Sequence, residues 1–231
     1  MNISNRLLTI ANFVPKNSIA IDIGTDHGYI PAYLIMNNIS KKVIATDISE
    51  ESLNKGKNYI KGLKLENEIE TRIGDGFEVL KSFEADTAII AGMGGLLIAD
   101  ILESRKNISR TITHFILQPM VASNKLREYL YNNNFEILDE RLVKEGEKFY
   151  EVIYTKHGKG YIEKDIYFDI GKKLVENKDP LLEEFINYKI KLAENILDKI
   201  EDKTTLKSKE RMKALTEEIE KYKEVLMCVK G

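Results

Sequence analysis

The sequence predicts an α/β protein built on a doubly wound, mostly parallel sheet, with a charged helical segment at its C-terminal end. Three observations carry that expectation. Short apolar runs near 19–23, 43–46, 69–73, 86–91 and 113–118 alternate with segments of helical period. Each run ends in glycines, a carboxylate or an amide: Asp22 and Gly24, Asp47, Gly74-Asp75-Gly76, Gly92 to Gly95, and Gln118-Pro119. After Asn134 the alternation stops, and beyond Gly160 the chain turns helical and highly charged.

Taken in order, residues 3 to 14 set Leu7, Leu8, Ala11 and Val14 on one face, which predicts a short amphipathic helix against the sheet. The first strand ends at Asp22, and a helix opens after Gly28 with Pro31 in its first turn, where a missing N–H costs little. A second strand ends at Asp47; Ser49 is placed to cap a helix running to Gly62. Helices near 94–104 and 123–133 separate the last three parallel strands. Phe135 to Val143 and Phe149 to Tyr154 read as a β-hairpin. The loop His157-Gly-Lys-Gly160 marks a boundary, giving domains 1–158 and 159–231. In the second domain Met212, Leu215, Ile219, Tyr222, Leu226 and Val229 alternate steps of three and four. A looser stripe runs through Leu182, Ile186, Ala193, Ile196 and Ile200. Together they predict two helices paired as an antiparallel coiled coil, joined through Asp202 to Ser208.

With 231 residues, 43% of them hydrophobic and 31% charged, the chain has room for one α/β domain and an appendage. Its one cysteine, Cys228, sets up neither an intramolecular disulfide nor a metal site. No apolar run reaches membrane-spanning length and the N-terminus lacks a signal-peptide core, so a cytoplasmic protein is expected. The net charge of -2 confines any nucleic-acid surface to a local patch. Candidates are Arg6; Lys41 and Lys42; Lys55, Lys57, Lys61 and Lys64; Arg105, Lys106 and Arg110; and Lys125 with Arg127.

A strand, a glycine turn, a helix and a second strand tipped by an acid make a nucleoside cradle. Gly24 and Gly28 enclose Thr25, Asp26 and His27 rather than following the G-x-G-x-x-G spacing of a pyrophosphate site. An acid at the mouth of the turn repels phosphate and suits a cation. S-adenosylmethionine (SAM), a sulfonium without phosphate, fits, with Asp47 accepting from the ribose hydroxyls and Asp75 from the adenine amino group. The expected donor site is Asp22, Gly24, Thr25, Gly28, Asp47, Ile48, Asp75, Gly76, Gly92 and Met93. The alternative is that Asp22 and Asp47 merely cap neighbouring helices.

The set Asp22-Ile-Gly-Thr-Asp-His-Gly28, Gly74-Asp-Gly76, Ala91-Gly-Met-Gly-Gly95 and Gln118-Pro-Met120 resembles the bacterial tRNA (adenine-22-N1)-methyltransferase family, and the likeness extends over the whole chain. It implies a seven-stranded methyltransferase domain closed by the antiparallel hairpin, a C-terminal coiled coil that helps embrace tRNA, SAM as donor, and Arg6 at the substrate. Attack by adenine N1 needs no strong base, because the lone pair carries no proton, but it leaves the base cationic. Asp26 is the candidate carboxylate for that charge; the competing expectation is that it caps the helix after Gly28. His27 and Gln118 are the other catalytic candidates, Gln118 as a reader of the Watson–Crick edge. Gly94, Gly95, Pro119 and Met120 are expected to bed the base. No metal is expected, and a monomer is favoured. Other readings remain: another RNA position, a small molecule, or a non-catalytic adapter that binds the donor.

Overall fold

The structure, a computed structural model, describes residues 3–200 and 205–230. Its chain divides into two compact units, Met1–Ile162 and Glu163–Gly231.

The first unit contains seven strands, β1 (Ser18–Ile23), β2 (Ser40–Asp47), β3 (Ile69–Ile73), β4 (Thr87–Gly94), β5 (His114–Val121), β6 (Phe135–Glu145) and β7 (Lys148–His157). They form one sheet in the order β3-β2-β1-β4-β5-β7-β6. The first five run parallel; β7 pairs antiparallel with both β5 and β6. Sheet order reverses direction at β1, so the crevice where ligands bind such sheets opens between the carboxyl ends of β1 and β4.

The helices are α1 (Asn5–Phe13), α2 (Tyr29–Met36), α3 (Glu50–Gly62), α4 (Gly95–Ser104), α5 (Lys106–Ser109) and α6 (Ser123–Asn132). Side chains alternate across the strands, which makes two cores. Ile21, Ile44, Ile90, Phe115 and Leu117 pack with Ile98 and Leu126 on one face. Ala20, Val43, Ile89 and Ile116 pack with Ile10, Leu34 and Ile60 on the other. Ser49 caps α3 through Ser52, and Pro31 sits in the first turn of α2, both as expected. In α1 the expected face is rotated: Ile10 and Ala11 are the buried residues, with Val14 just past the helix end, whereas Leu7 and Leu8 are only half-buried.

The second unit contains α7 (Ile166–Ile170), α8 (Lys172–Glu176), α9 (Leu182–Asp198) and α10 (Leu206–Lys230). The long helices α9 and α10 pack together, and Leu182, Ile186, Ala193, Leu215, Ile219 and Tyr222 are buried as expected, but the stripe differs elsewhere. Phe185 and Ile190 are buried and Ile196 is exposed; on α10, Val225 is buried in place of Leu226. Part of the expected connection, 202–204, lies outside the described residues. No helix among the described residues is long and apolar enough to cross a membrane.

Candidate active site

Asp22 is the last polar side chain of β1, and the turn after it is bound to β2. The backbone N–H groups of Gly24 and Thr25 both donate to the Thr46 carbonyl, at 2.8 and 2.9 Å. Gly28 starts α2 in the left-handed region (φ 69°), and a Cβ there would come within 3.3 Å of the Gly56 carbonyl oxygen of α3. The turn is thus held on both sides by backbone, which fixes the direction of Asp22.

The Asp22 carboxylate is buried and accepts a hydrogen bond from the Thr25 hydroxyl. Burial pushes its pKa up to about 6; the Thr25 hydroxyl opposes the rise and the nearby Asp47 charge adds to it. No cation among the described residues pairs with it. A buried carboxylate without a counter-charge, at the floor of a cavity of about 740 Å3, is built to receive a positively charged ligand.

Asp26 and His27 stand on the rim of this cavity, joined at 3.1 Å, and both are exposed. The His27 ring stacks on Tyr29 (centroids 5.3 Å apart), and Tyr29 meets Tyr59 edge-on at 5.1 Å. Across the cavity Gly92 presents bare backbone: its φ is 78°, and a Cβ there would have no neighbour within 4 Å. Further along the edge, Asp47 accepts from the Ser49 N–H at 2.7 Å through one carboxylate oxygen, leaving the other for a ligand. Ile48, Ile73 and Asp75 lie exposed beyond it.

The fifth strand end is organised differently. Gln118 is fully buried; its Oε1 accepts from Arg6 Nη1 at 2.7 Å and from the Gly92 N–H at 3.2 Å. Its Nε2 donates to the Pro119 carbonyl at 2.8 Å, with Met120 Sδ at 3.7 Å. Arg6 also lies 5.3 Å over the Tyr150 ring, and its backbone N–H donates to Glu145 at 2.9 Å. That bond, with Ser4, holds the Glu145 carboxyl below the usual range.

Residues 3–153 match the methyltransferase-domain family. The tRNA (adenine(22)-N(1))-methyltransferase of Bacillus subtilis (strain 168) is 32% identical over 98% of this chain and 98% of its own length. The chain belongs to that family. Among solved structures, the B. subtilis M1A22 tRNA methyltransferase TrmK is 32% identical with a TM-score of 0.88, covering 97% of this chain and 99% of its own. M. capricolum TrmK, in complex with the natural cofactor product S-adenosylhomocysteine, is 30% identical with a TM-score of 0.83, covering 97% and 99%.

Family membership does not assign individual residues; the geometry sorts them. Arg6, Asp22, Gly24, Thr25, Asp26, His27, Gly28 and Gly92 converge on one cavity. Asp47, Ile48 and Asp75 border the same sheet edge, and Met93 rests against the Gly24 turn. Four expectations need correction. Gln118 cannot read a base, because it is buried with both ends of its amide engaged; it positions Arg6 and the Gly92 turn. Pro119 is buried and offers no stacking face. Gly76 is buried and packs against Ile101, a contact compatible with its expected place beside the donor. Gly95 is required by the close approach of β5, since a Cβ would fall 2.3 Å from the Ala122 oxygen, and Gly94 faces Val121. Neither forms a floor for a ring. Met120 alone of that group is exposed.

The capping alternatives divide: Gly28 starts α2 with no side-chain cap, so Asp26 is free of that duty, and Asp22 bonds within its own turn, whereas Asp47 does accept from the Ser49 N–H at the start of α3. Half of the basic candidates are ion-paired: Lys42 with Glu70, Lys55 with Glu51, Arg105 with Glu78, Lys106 with Glu103, Lys125 with Glu128, and Arg127 with Glu140 and Glu151. Arg127 is fully buried and no RNA contact at all. Sequence reasoning missed Tyr29, Tyr59, Gly56 and Glu145. Gly56 carried a signal, as an isolated glycine inside a helical pattern; Glu145, in a charged hairpin turn, carried none.

Proposed function

We propose that this protein transfers a methyl group from SAM to N1 of an adenosine, position 22, in tRNA. Full-length similarity to the B. subtilis enzyme is the observation that carries this reading; the uncompensated Asp22 carboxylate is its counterpart in the site. Bound here, SAM supplies an electrophilic methyl on a positively charged sulfur. Asp22 supplies negative charge at the cavity floor, Asp47 takes the ribose hydroxyls with its free oxygen, and Gly92 leaves room against bare backbone. Held in line, the reactants gain several kcal/mol from positioning alone.

The target nitrogen brings its own lone pair, so the residues at the rim have no proton to remove from it. Asp26 lies where positive charge develops on the base, and it can accept from the exocyclic amino group. His27 orients Asp26 through their 3.1 Å contact and extends the Tyr29 stack, a surface for an aromatic base. Residues 159–231 serve as an arm against tRNA, and the protein acts as a cytoplasmic monomer without a metal. Among the described residues no group of three or more His, Cys, Asp or Glu could hold a metal ion.

The test is methylation of bulk tRNA with labelled donor, followed by nucleoside analysis. 1-Methyladenosine mapped to position 22 is the expected product. Donor binding without transfer to any RNA would make the protein an adapter, and label at another position would move the target.

A further inference from the structure

β4 and β5 outrun their neighbours. β1 pairs with β4 only as far as Ile23 with Ile90, whereas β4 and β5 continue through Met93 with Pro119 to Gly94 with Val121. The ribbon ends in a fixed junction: Gly95 lies against the Ala122 carbonyl, and Ala122 is in the left-handed region at φ 56°. From this end Val121 is 68% exposed, Leu96 59%, Leu97 51% and Met120 45%. No Lys, Arg, Asp or Glu occurs in Thr87–Ala99 or in Thr111–Asn124, in a chain that is 31% charged. Contiguous exposed apolar side chains on a rigid element mark a contact surface.

The start of the same ribbon borders the cavity, since Ala91 and Gly92 line it. The ribbon's end is therefore within reach of the nucleotides that flank whatever part of the tRNA enters the cavity. The side chains exposed at that end, Leu96, Leu97, Met120 and Val121, are apolar, so the face of a base gains more than a phosphate or a sugar by resting on them. N1 lies on the pairing edge of adenine, so a paired target must be turned out of its helix, at an unstacking cost of a few kcal/mol. Proteins offset such costs with apolar wedges placed against the opened step.

We propose that Leu96, Leu97 and Val121 form an apolar ledge that covers the base left exposed when the target adenosine is extracted. The proposal rests on the tRNA methyltransferase reading and names the surface that pays the extraction cost. It assigns these residues to tRNA bases rather than to a second copy of the chain, because they continue the rim of the cavity the target enters.

The double variant Leu97→Ser/Val121→Ser tests it, both sites being exposed and outside the donor cradle. Two tRNAs serve as substrates, one with the target adenosine paired and one with its partner base replaced to leave it unpaired. On the paired substrate kcat/KM should fall about tenfold, the scale of one lost base contact. On the unpaired substrate it should fall less than about twofold, because the extraction cost is already removed. Donor affinity and melting temperature should match the parent, and Leu97→Met/Val121→Ile should retain parent activity. Unchanged activity on the paired tRNA, or an equal loss on both, would overturn the ledge. So would a parent dimer that the serine variant splits. A parent that methylates neither tRNA at adenine N1 would overturn the underlying reading, and the ledge with it.

Discussion

Two buried charges in the first unit are treated in opposite ways. Arg127 on α6 is fully buried, yet Glu140 (2.6 Å) and Glu151 (2.5 Å) close on its guanidinium, and Ser123 donates to Glu151. Burial opposes its charge, and the two glutamates outweigh that opposition and raise its pKa. Asp22, at the tip of β1, is equally enclosed and receives one hydroxyl. The first site is electrostatically complete and joins α6 to the hairpin. The second has no counter-charge among the described residues, and we propose that the bound donor supplies it. Burial alone therefore does not distinguish a structural charge from a functional one; the presence or absence of a counter-charge does.

The largest effect should come from breaking the complete site. Arg127→Ala leaves two glutamates buried without a cation and should cost about 3–5 kcal/mol in denaturant unfolding. Donor affinity of the folded fraction should be near that of the parent. A loss below 1 kcal/mol would mean that the glutamates reach water, and the contrast with Asp22 would disappear.

The next effect runs in two directions at once. Asp22→Asn should weaken SAM binding about a hundredfold by calorimetry, as expected for removing one partner of a desolvated charge pair. The same change should stabilise the unliganded protein. A carboxyl at about 6, against an ordinary 3.8, carries a penalty near 3 kcal/mol at neutral pH, at about 1.4 kcal/mol per pH unit. Between those values the folded state binds more protons than the unfolded one, so unliganded stability falls as pH rises through the window. In the parent, SAM affinity should fall as pH drops below about 6; in Asp22→Asn both profiles should be flat there. An Asp22→Asn protein less stable than the parent at pH 7 would show that Asp22 is structural.

The fold was legible because its signal is local. Parallel strands buried on both faces read as apolar runs, and Ser49, Pro31 and Gly28 punctuated the helices where they occur. The donor cradle was legible for the same reason: Asp22 to Gly28 is one continuous turn. The acceptor side was less so, because exposure and side-chain direction at a strand end depend on what packs from elsewhere. Gln118 looked like an available amide until Arg6, from a helix 112 positions away, took its oxygen. The tail seam was legible at Leu215, Ile219 and Tyr222 but shifted by one residue beyond them for a related reason: Val225 and Leu226 compete for one groove, and spacing alone does not choose between them.

Arg6 offers an intermediate between the two charges, and the smallest effect. It is half-buried, and its charge is met by a neutral amide and the Tyr150 ring rather than by a carboxylate side-chain pair. The guanidinium is therefore held in place by a neutral amide, with the Glu145 carboxylate within electrostatic reach, and we propose that its positive charge also serves RNA at the cavity mouth. Gln118→Ala removes the holder and keeps the charge. It should cost about 1–2 kcal/mol of stability, since the Gly92 N–H also loses its acceptor. KM for tRNA should rise several-fold and the dissociation constant for SAM by less, because Gln118 holds only the Gly92 wall of the donor cavity while the Gly24 turn is anchored on Thr46. If SAM affinity fell as far as tRNA affinity, the two halves of the site would be one cooperative unit, and the separation between a completed scaffold and an incomplete receptor would have to be drawn elsewhere.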